Sequence, residues 1–282
     1  MGALTSSAVL LLTAAGCGGE ASAPTGAPTG ALPEGLTAYV DQPRAERVGR
    51  GFVVRLVNDT GSRVTVTRAD VSSDRVDPLR WQGEKSFVNE ADLDLELGEG
   101  RCGRGSDMRV ELAYRVGDGP EQVGVATATD RYGAVGLLLD RDCAASVLAE
   151  AADLSVGEPR RADDGGEPVL ELPLELRPTG ARDDVVWGGL EDTVLFRQAP
   201  GSASVEAGTR VPLGPGDPPV RLLLRVGPGR CDPHALAEDK VGTLFAMRVE
   251  APGVPAEAGA YLPLTDADRA ALRGFIPVAC GW

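Results

Sequence analysis

Lysine is almost missing from this chain of 282 residues: Lys85 and Lys240 are the only two, and arginine carries the rest of the positive charge. Histidine occurs once, as His234. One histidine excludes every two-histidine zinc motif, and no Gly-x-Ser-x-Gly elbow supplies a serine for a Ser-His-Asp triad. Neither lysine has a serine three residues before it, and no Gly-Lys-[Ser/Thr] phosphate loop occurs. Aromatics make up only 4% of the chain, too few for a stacking platform for bases or for an aromatic-lined glycosidase cleft. No two of the five cysteines form Cys-x-x-Cys, so zinc-ribbon and thioredoxin-type readings fail. The formal charge of −14 repels nucleic-acid backbones and anionic membrane surfaces, and no nucleic-acid partner is expected.

What the chain does have begins with a short apolar run, Ala8 to Ala15, too short to span a bilayer. It leads into Ala14-Ala15-Gly16-Cys17. This resembles the lipobox of bacterial lipoproteins, departing from it at Ala14, where leucine is commoner, and in a Met1–Ser7 segment without lysine or arginine. The missing charge suggests a start upstream of Met1, which N-terminal mapping of the precursor tests. The resemblance implies that residues 1–16 are a lipoprotein signal peptide. Cys17 would then be lipidated and become the mature N-terminus, holding the protein on the extracytoplasmic face of the cell membrane. Two or three acyl chains on one residue anchor stably where a single chain does not. The arginine-rich, lysine-poor usage also resembles proteins of GC-rich bacteria such as actinobacteria.

Residues 17–33 contain the repeat Ala-Pro-Thr-Gly and no large apolar side chain except Leu32. Such a stretch cannot bury enough surface to fold and reads as a flexible tether with a reach of about 20–25 Å.

From residue 34 onward the chain repeats itself. Gly98-Glu99-Gly100-Arg101-Cys102 and Gly227-Pro228-Gly229-Arg230-Cys231 both spell Gly-x-Gly-Arg-Cys, and each follows an apolar-rich run. Thr-Gly-[Ser/Ala]-Arg recurs at Thr60 and Thr179, Met-Arg-Val-Glu at Met108 and Met247, and a closing cysteine at Cys143 and Cys280. Similar spacing of four separate signals is the mark of a duplicated domain. The expected units are residues 34–150 and 151–282. Four cysteines allow three pairings, and duplication selects Cys102–Cys143 with Cys231–Cys280. The two glycines are expected to serve a tight turn that delivers a strand end to the disulfide.

Alternation dominates each copy, as in Leu93-Asp-Leu-Glu-Leu97 and Met108-Arg-Val-Glu-Leu112, the pattern of half-buried strands. Val123–Thr129 and Val135–Leu139 are expected to be strands as well. About seven short strands in each copy predict a mainly β protein of two tandem β-sandwiches. In pattern the copies resemble immunoglobulin-like bacterial surface domains, although no tryptophan lies between the paired cysteines, and a fibronectin-like sandwich fits equally. Two helices are expected, both in the second copy: one capped by Asp232 with Pro233 at its first position, and one from Thr265 to Gly274. Trp282, two residues after Cys280, is expected to plug the second core.

Arg230, Asp232 and His234 concentrate ionisable variety in a segment that copy one replaces with Gly103-Arg-Gly-Ser106. They are the candidate recognition residues. Acidic pairs such as Asp92/Asp94 and Asp140/Asp142 read as wet strand faces, so no metal or cofactor is expected. The function this supports is a monomeric, lipid-anchored envelope protein that binds a protein or cell-wall partner without catalysis. The alternative is an enzyme or small-ligand carrier with a site near His234 or between the two domains.

Overall fold

A computed structural model describes residues 30–47 and 49–282. Cys17, the apolar run before it and the tether up to residue 29 lie outside the described residues. The protein is mainly β, with seventeen strands and three α-helices among the described residues.

The first half opens with β1 (Gly30–Ala31) and β2 (Leu36–Asp41). The strands β3 (Gly51–Asn58), β4 (Val64–Ser73), β5 (Val76–Phe87), β6 (Glu90–Glu96), β7 (Met108–Val116) and β8 (Gln122–Asp130) follow. Their order is β5-β4-β7-β8-β2-β3-β6, with β1 parallel to β8. The sheet turns back on itself along β8: residues 122–128 pair antiparallel with β7, whereas Thr129 and Asp130 pair parallel with β2. Alternate residues of the two layers, among them Phe52, Leu56, Leu93, Met108 and Leu112, meet in a fully buried core, as expected of strands with one apolar face. Leu32 packs against that core, so the last residues of the expected tether lie on the first sheet.

The second half contains β9 (Ala152–Val156), β10 (Arg160–Asp164), β11 (Glu167–Pro178), β12 (Val186–Leu190), β13 (Phe196–Gln198) and β14 (Val211–Pro212). It continues with β15 (Val220–Pro228), β16 (Ala246–Glu250) and β17 (Gly259–Tyr261). One sheet runs β10-β11-β15-β13, with β9 also on β11; the other runs β14-β12-β16-β17. Trp187, Phe196, Phe245 and Phe275 fill the core between them. The neighbour relations of the two halves correspond. β3 lies between β2 and β6 as β11 lies between β10 and β15, and β7 lies between β4 and β8 as β16 lies between β12 and β17.

Three helices complete the fold: α1 (Ala134–Ala151), α2 (Pro233–Glu238) and α3 (Asp266–Cys280). The expected strand at Val135–Leu139 is instead the first turn and a half of α1. This helix is apolar on two sides: Val135, Leu138 and Leu139 belong to the first core, while Cys143, Ala144, Val147, Leu148 and Ala151 belong to the second. A helix buried on two sides has no single apolar stripe at a period of 3.6 residues, so a short window of it reads as a buried strand. The expected helices of the second copy form where their caps predict, Asp232 accepting from the His234 amide and Thr265 forming a capping box with Asp268. α3 continues past Gly274 to Cys280, because Phe275 and Ile276 are buried in the second core. Gly281, at φ 73°, ends it, and its amide reaches the Pro277 carbonyl. Trp282 is therefore turned outward and 47% exposed, rather than plugging the core.

Candidate functional site

Two disulfides join Cys102 to Cys143 and Cys231 to Cys280, closing segments of 41 and 49 residues. In both, the first cysteine ends a Gly-x-Gly-Arg-Cys loop and the second sits on a helix, α1 or α3. The glycines act differently from the expected tight turn. None of Gly98, Gly100, Gly227 and Gly229 has positive φ. A Cβ on Gly100 would lie 2.7 Å from Leu139 Cδ2 on α1, and one on Gly229 would lie 3.3 Å from the Leu195 backbone. The second glycine of each motif thus permits close approach to a neighbouring element.

At the first corner the irregular loop leaves carbonyls without strand partners, and two arginines satisfy them. Arg50 donates to the carbonyls of Leu97 (2.8 Å) and Gly98 (2.5 Å) and grips Asp142 of α1 with both terminal nitrogens, at 3.0 and 2.7 Å. The Asp142 carboxylate also accepts from the Gly100 amide at 2.8 Å and holds the Arg50 guanidinium above its ordinary pKa. Arg75, almost fully buried, donates to the carbonyls of Arg101 and Gly105 and pairs with Asp140 of α1 at 2.9 Å. Asp140 and Asp142, expected on a wet strand face, therefore tie the loop to the helix. Arg50, Asp77, Glu99, Arg101 and Asp142 line an open cleft of about 970 Å³ there.

The second corner carries the candidate recognition residues. Asp232 accepts from the His234 amide at 2.9 Å and so caps α2. His234 is 79% exposed and its Nε2 lies 3.2 Å from Glu238 one turn on. Arg230 is exposed and lines an open depression of about 340 Å³ with Asp192, Thr193, Val194 and Arg197. The three sit on one short segment, but their side chains do not converge on a cavity. Asp239 is the buried acid here: it accepts from the Gly242 amide and from Arg273 of α3 at 3.0 Å, locking α2 to the helix that carries Cys280.

A third feature lies between α1 and the second half. Ala145, Leu148 and Ala149 of α1, with Asp153, Leu154, Met247 and Tyr261, line a largely apolar groove of about 330 Å³. One helical turn before Ala145, the Arg141 guanidinium stacks over the Tyr261 ring at 4.4 Å. Among the described residues Arg141 has no carboxylate partner, and its Nε is buried without an acceptor. Burial lowers the Arg141 pKa and raises that of Tyr261, the latter partly offset by Arg141 and Arg47. Arg141 carries no motif, and only the spacing of Arg141, Ala145, Leu148 and Ala149 on one helix face could have marked it.

No family model and no curated protein matches the chain. Solved structures give weak likenesses. An Amycolatopsis orientalis exo-chitosanase is 12% identical with a TM-score of 0.19, and the match covers 80% of this chain. The chain spans about a quarter (26%) of the exo-chitosanase's length. The calcium-binding domain CBD12 of CALX1.1 is 14% identical over 79% of this chain and 87% of its own, with a TM-score of 0.21. A red sea bream transglutaminase is 12% identical over 80% of this chain and 30% of its own, with a TM-score of 0.20. None of these likenesses identifies a family or an activity for the chain.

Proposed function

We propose that the protein is a lipid-anchored extracytoplasmic envelope protein whose two β-sandwiches, duplicated from one ancestor, act as a non-catalytic interaction module. One observation carries this reading: Cys102, Cys143, Cys231 and Cys280 are all engaged in disulfides, and the fifth cysteine of the sequence, Cys17, follows an apolar run and Ala-Ala-Gly. Disulfides persist in oxidising compartments, and a leftover cysteine in that context is the expected acylation site of a lipobox chain. The corresponding strand neighbours of the two halves support duplication. So does the Thr-Gly-x-Arg turn: Thr60 accepts from the Ser62 amide and Thr179 from the Ala181 amide through the same hydroxyl geometry, with Gly61 and Gly180 both at positive φ.

Recognition is assigned to the second corner, where Arg230 and His234 stand exposed on a turn pinned by a disulfide and by Asp239. The test is chemical cross-linking in intact envelopes of the lipidated chain against a double variant, Arg230→Glu with His234→Ala. Loss of a specific cross-link in the variant is expected. An unchanged cross-linking pattern removes this corner as the recognition element. The carrier alternative rests on the groove beside α1 rather than on His234, whose side chain is 79% exposed.

A further inference from the structure

We propose that the groove between α1 and β17 binds an elongated apolar molecule ending in a carboxylate. The carboxylate lies against the Arg141 guanidinium and the apolar chain runs along Leu148, Leu154 and Met247. This is independent of acylation at Cys17 and of recognition at the Arg230 corner.

Three observations support it together. The groove, about 330 Å³, lies at the lower end of the size range of small-molecule sites, about 300–1,000 Å³. Its walls are mainly methyl groups and aliphatic side chains from α1, β9 and β16, with Ala145 and Ala149 leaving open space where larger side chains would fill it; the acidic lining residue, Asp153, lies beyond the C-terminal end of α1, away from Arg141. Arg141 stands at one end, over the ring of the groove-lining Tyr261. In a chain with 42 acidic against 28 basic residues, this half-buried guanidinium has no acidic partner among the described residues. Burial disfavours its charge and Arg47 repels it, while Tyr261 and Glu191 favour it.

A guanidinium over an aromatic ring can still donate to an acceptor through its terminal nitrogens, and its planar fork matches the two oxygens of a carboxylate. An anion there would relieve the repulsion between Arg141 and Arg47 and satisfy a group that burial disfavours. A neutral apolar ligand would fill the groove but leave that charge unmatched. The acidic surface elsewhere disfavours anions, so selectivity for a carboxylate must arise at this arginine.

The test is calorimetric titration of the full chain with decanoate and with decanol, which differ only in the head group. Saturable one-site binding of decanoate, about tenfold or more tighter than decanol, is expected from one charge-assisted contact. Arg141→Gln should reduce decanoate to the affinity of decanol. Ala149→Leu, which narrows the groove from an exposed helix position, should weaken both ligands at an unchanged melting temperature. Equal affinity for the two ligands, decanoate binding untouched by either substitution, or no binding of decanoate would each overturn the proposal. So would self-association of the protein that Ala149→Leu abolishes, because the groove would then be an interface between copies.

Discussion

Arg50–Asp142 and Arg55–Asp92 are both two-pronged ion pairs, at 2.7–3.0 Å and 2.7 Å, and in both the carboxylate holds the guanidinium above its ordinary pKa. Their surroundings separate them. Asp142 is 15% exposed and also accepts from the Gly100 amide, whereas both members of the Arg55–Asp92 pair are 35% exposed on strand faces. Solvent screens the second pair, and such surface pairs are worth roughly 0.2–1 kcal/mol. Asp142→Asn is therefore expected to cost about 1.5–3 kcal/mol and Asp92→Asn less than about 1 kcal/mol. Urea denaturation of the two variants decides this, and equal losses would refute the assignment of Asp142 as the tie between loop and helix. Tyr261 gives a pH effect of known sign. Burial raises its phenol pKa in the folded state, so its contribution to stability is present below the ordinary phenol pKa of about 10 and is lost as pH rises through the raised value. Tyr261→Phe should flatten the fall in melting temperature above that pH; an unchanged alkaline profile would contradict it.

At the scale of the element, α1 carries the most consequence. Its first turns fill one core and its last turns the other, and Asp140, Asp142 and Cys143 bind it to the loop of the first corner. Leu139→Ala and Leu148→Ala open cavities in different cores, each costing about 2–5 kcal/mol. Because one rigid helix joins those cores, each substitution should lower a single calorimetric transition. Two separated transitions, with only one moved by each variant, would show that the helix does not couple the halves. The strands were legible in the sequence wherever polar and apolar residues alternate, as at Leu93–Leu97 and Met108–Leu112. Both second-copy helices were legible from the caps Asp232 and Thr265. α1 was hidden because burial on two sides erases helical periodicity, and the continuation of α3 was hidden because Gly274 looks like a stop while Phe275 and Ile276 decide the matter by packing. The roles of Arg50, Arg75, Asp239 and Arg141 were not legible, since each depends on a partner distant in the chain and none belongs to a motif. The Gly-x-Gly-Arg-Cys repeats marked both corners correctly, but the glycines' role as points of close approach needed the third dimension.

At the scale of the whole molecule, a lysine-poor, acidic chain is held together by two disulfides and one shared helix. The chain-entropy model assigns each disulfide about 4 kcal/mol, and measured values are often smaller. Cys102–Cys143 differs from its counterpart in tying the first corner to a cysteine buried in the second core; replacing either pair with serine should lower the same single calorimetric transition. The same cysteine pattern leads back to Cys17 and to the claim that the protein works while anchored to the outer face of a membrane. Intact-mass measurement of the chain recovered from the membrane fraction of its host tests that claim directly. A mature chain beginning at acylated Cys17 is expected, together with a Cys17→Ser variant that is no longer retained. A non-acylated chain, or a Cys17→Ser variant still held at the membrane, would contradict it.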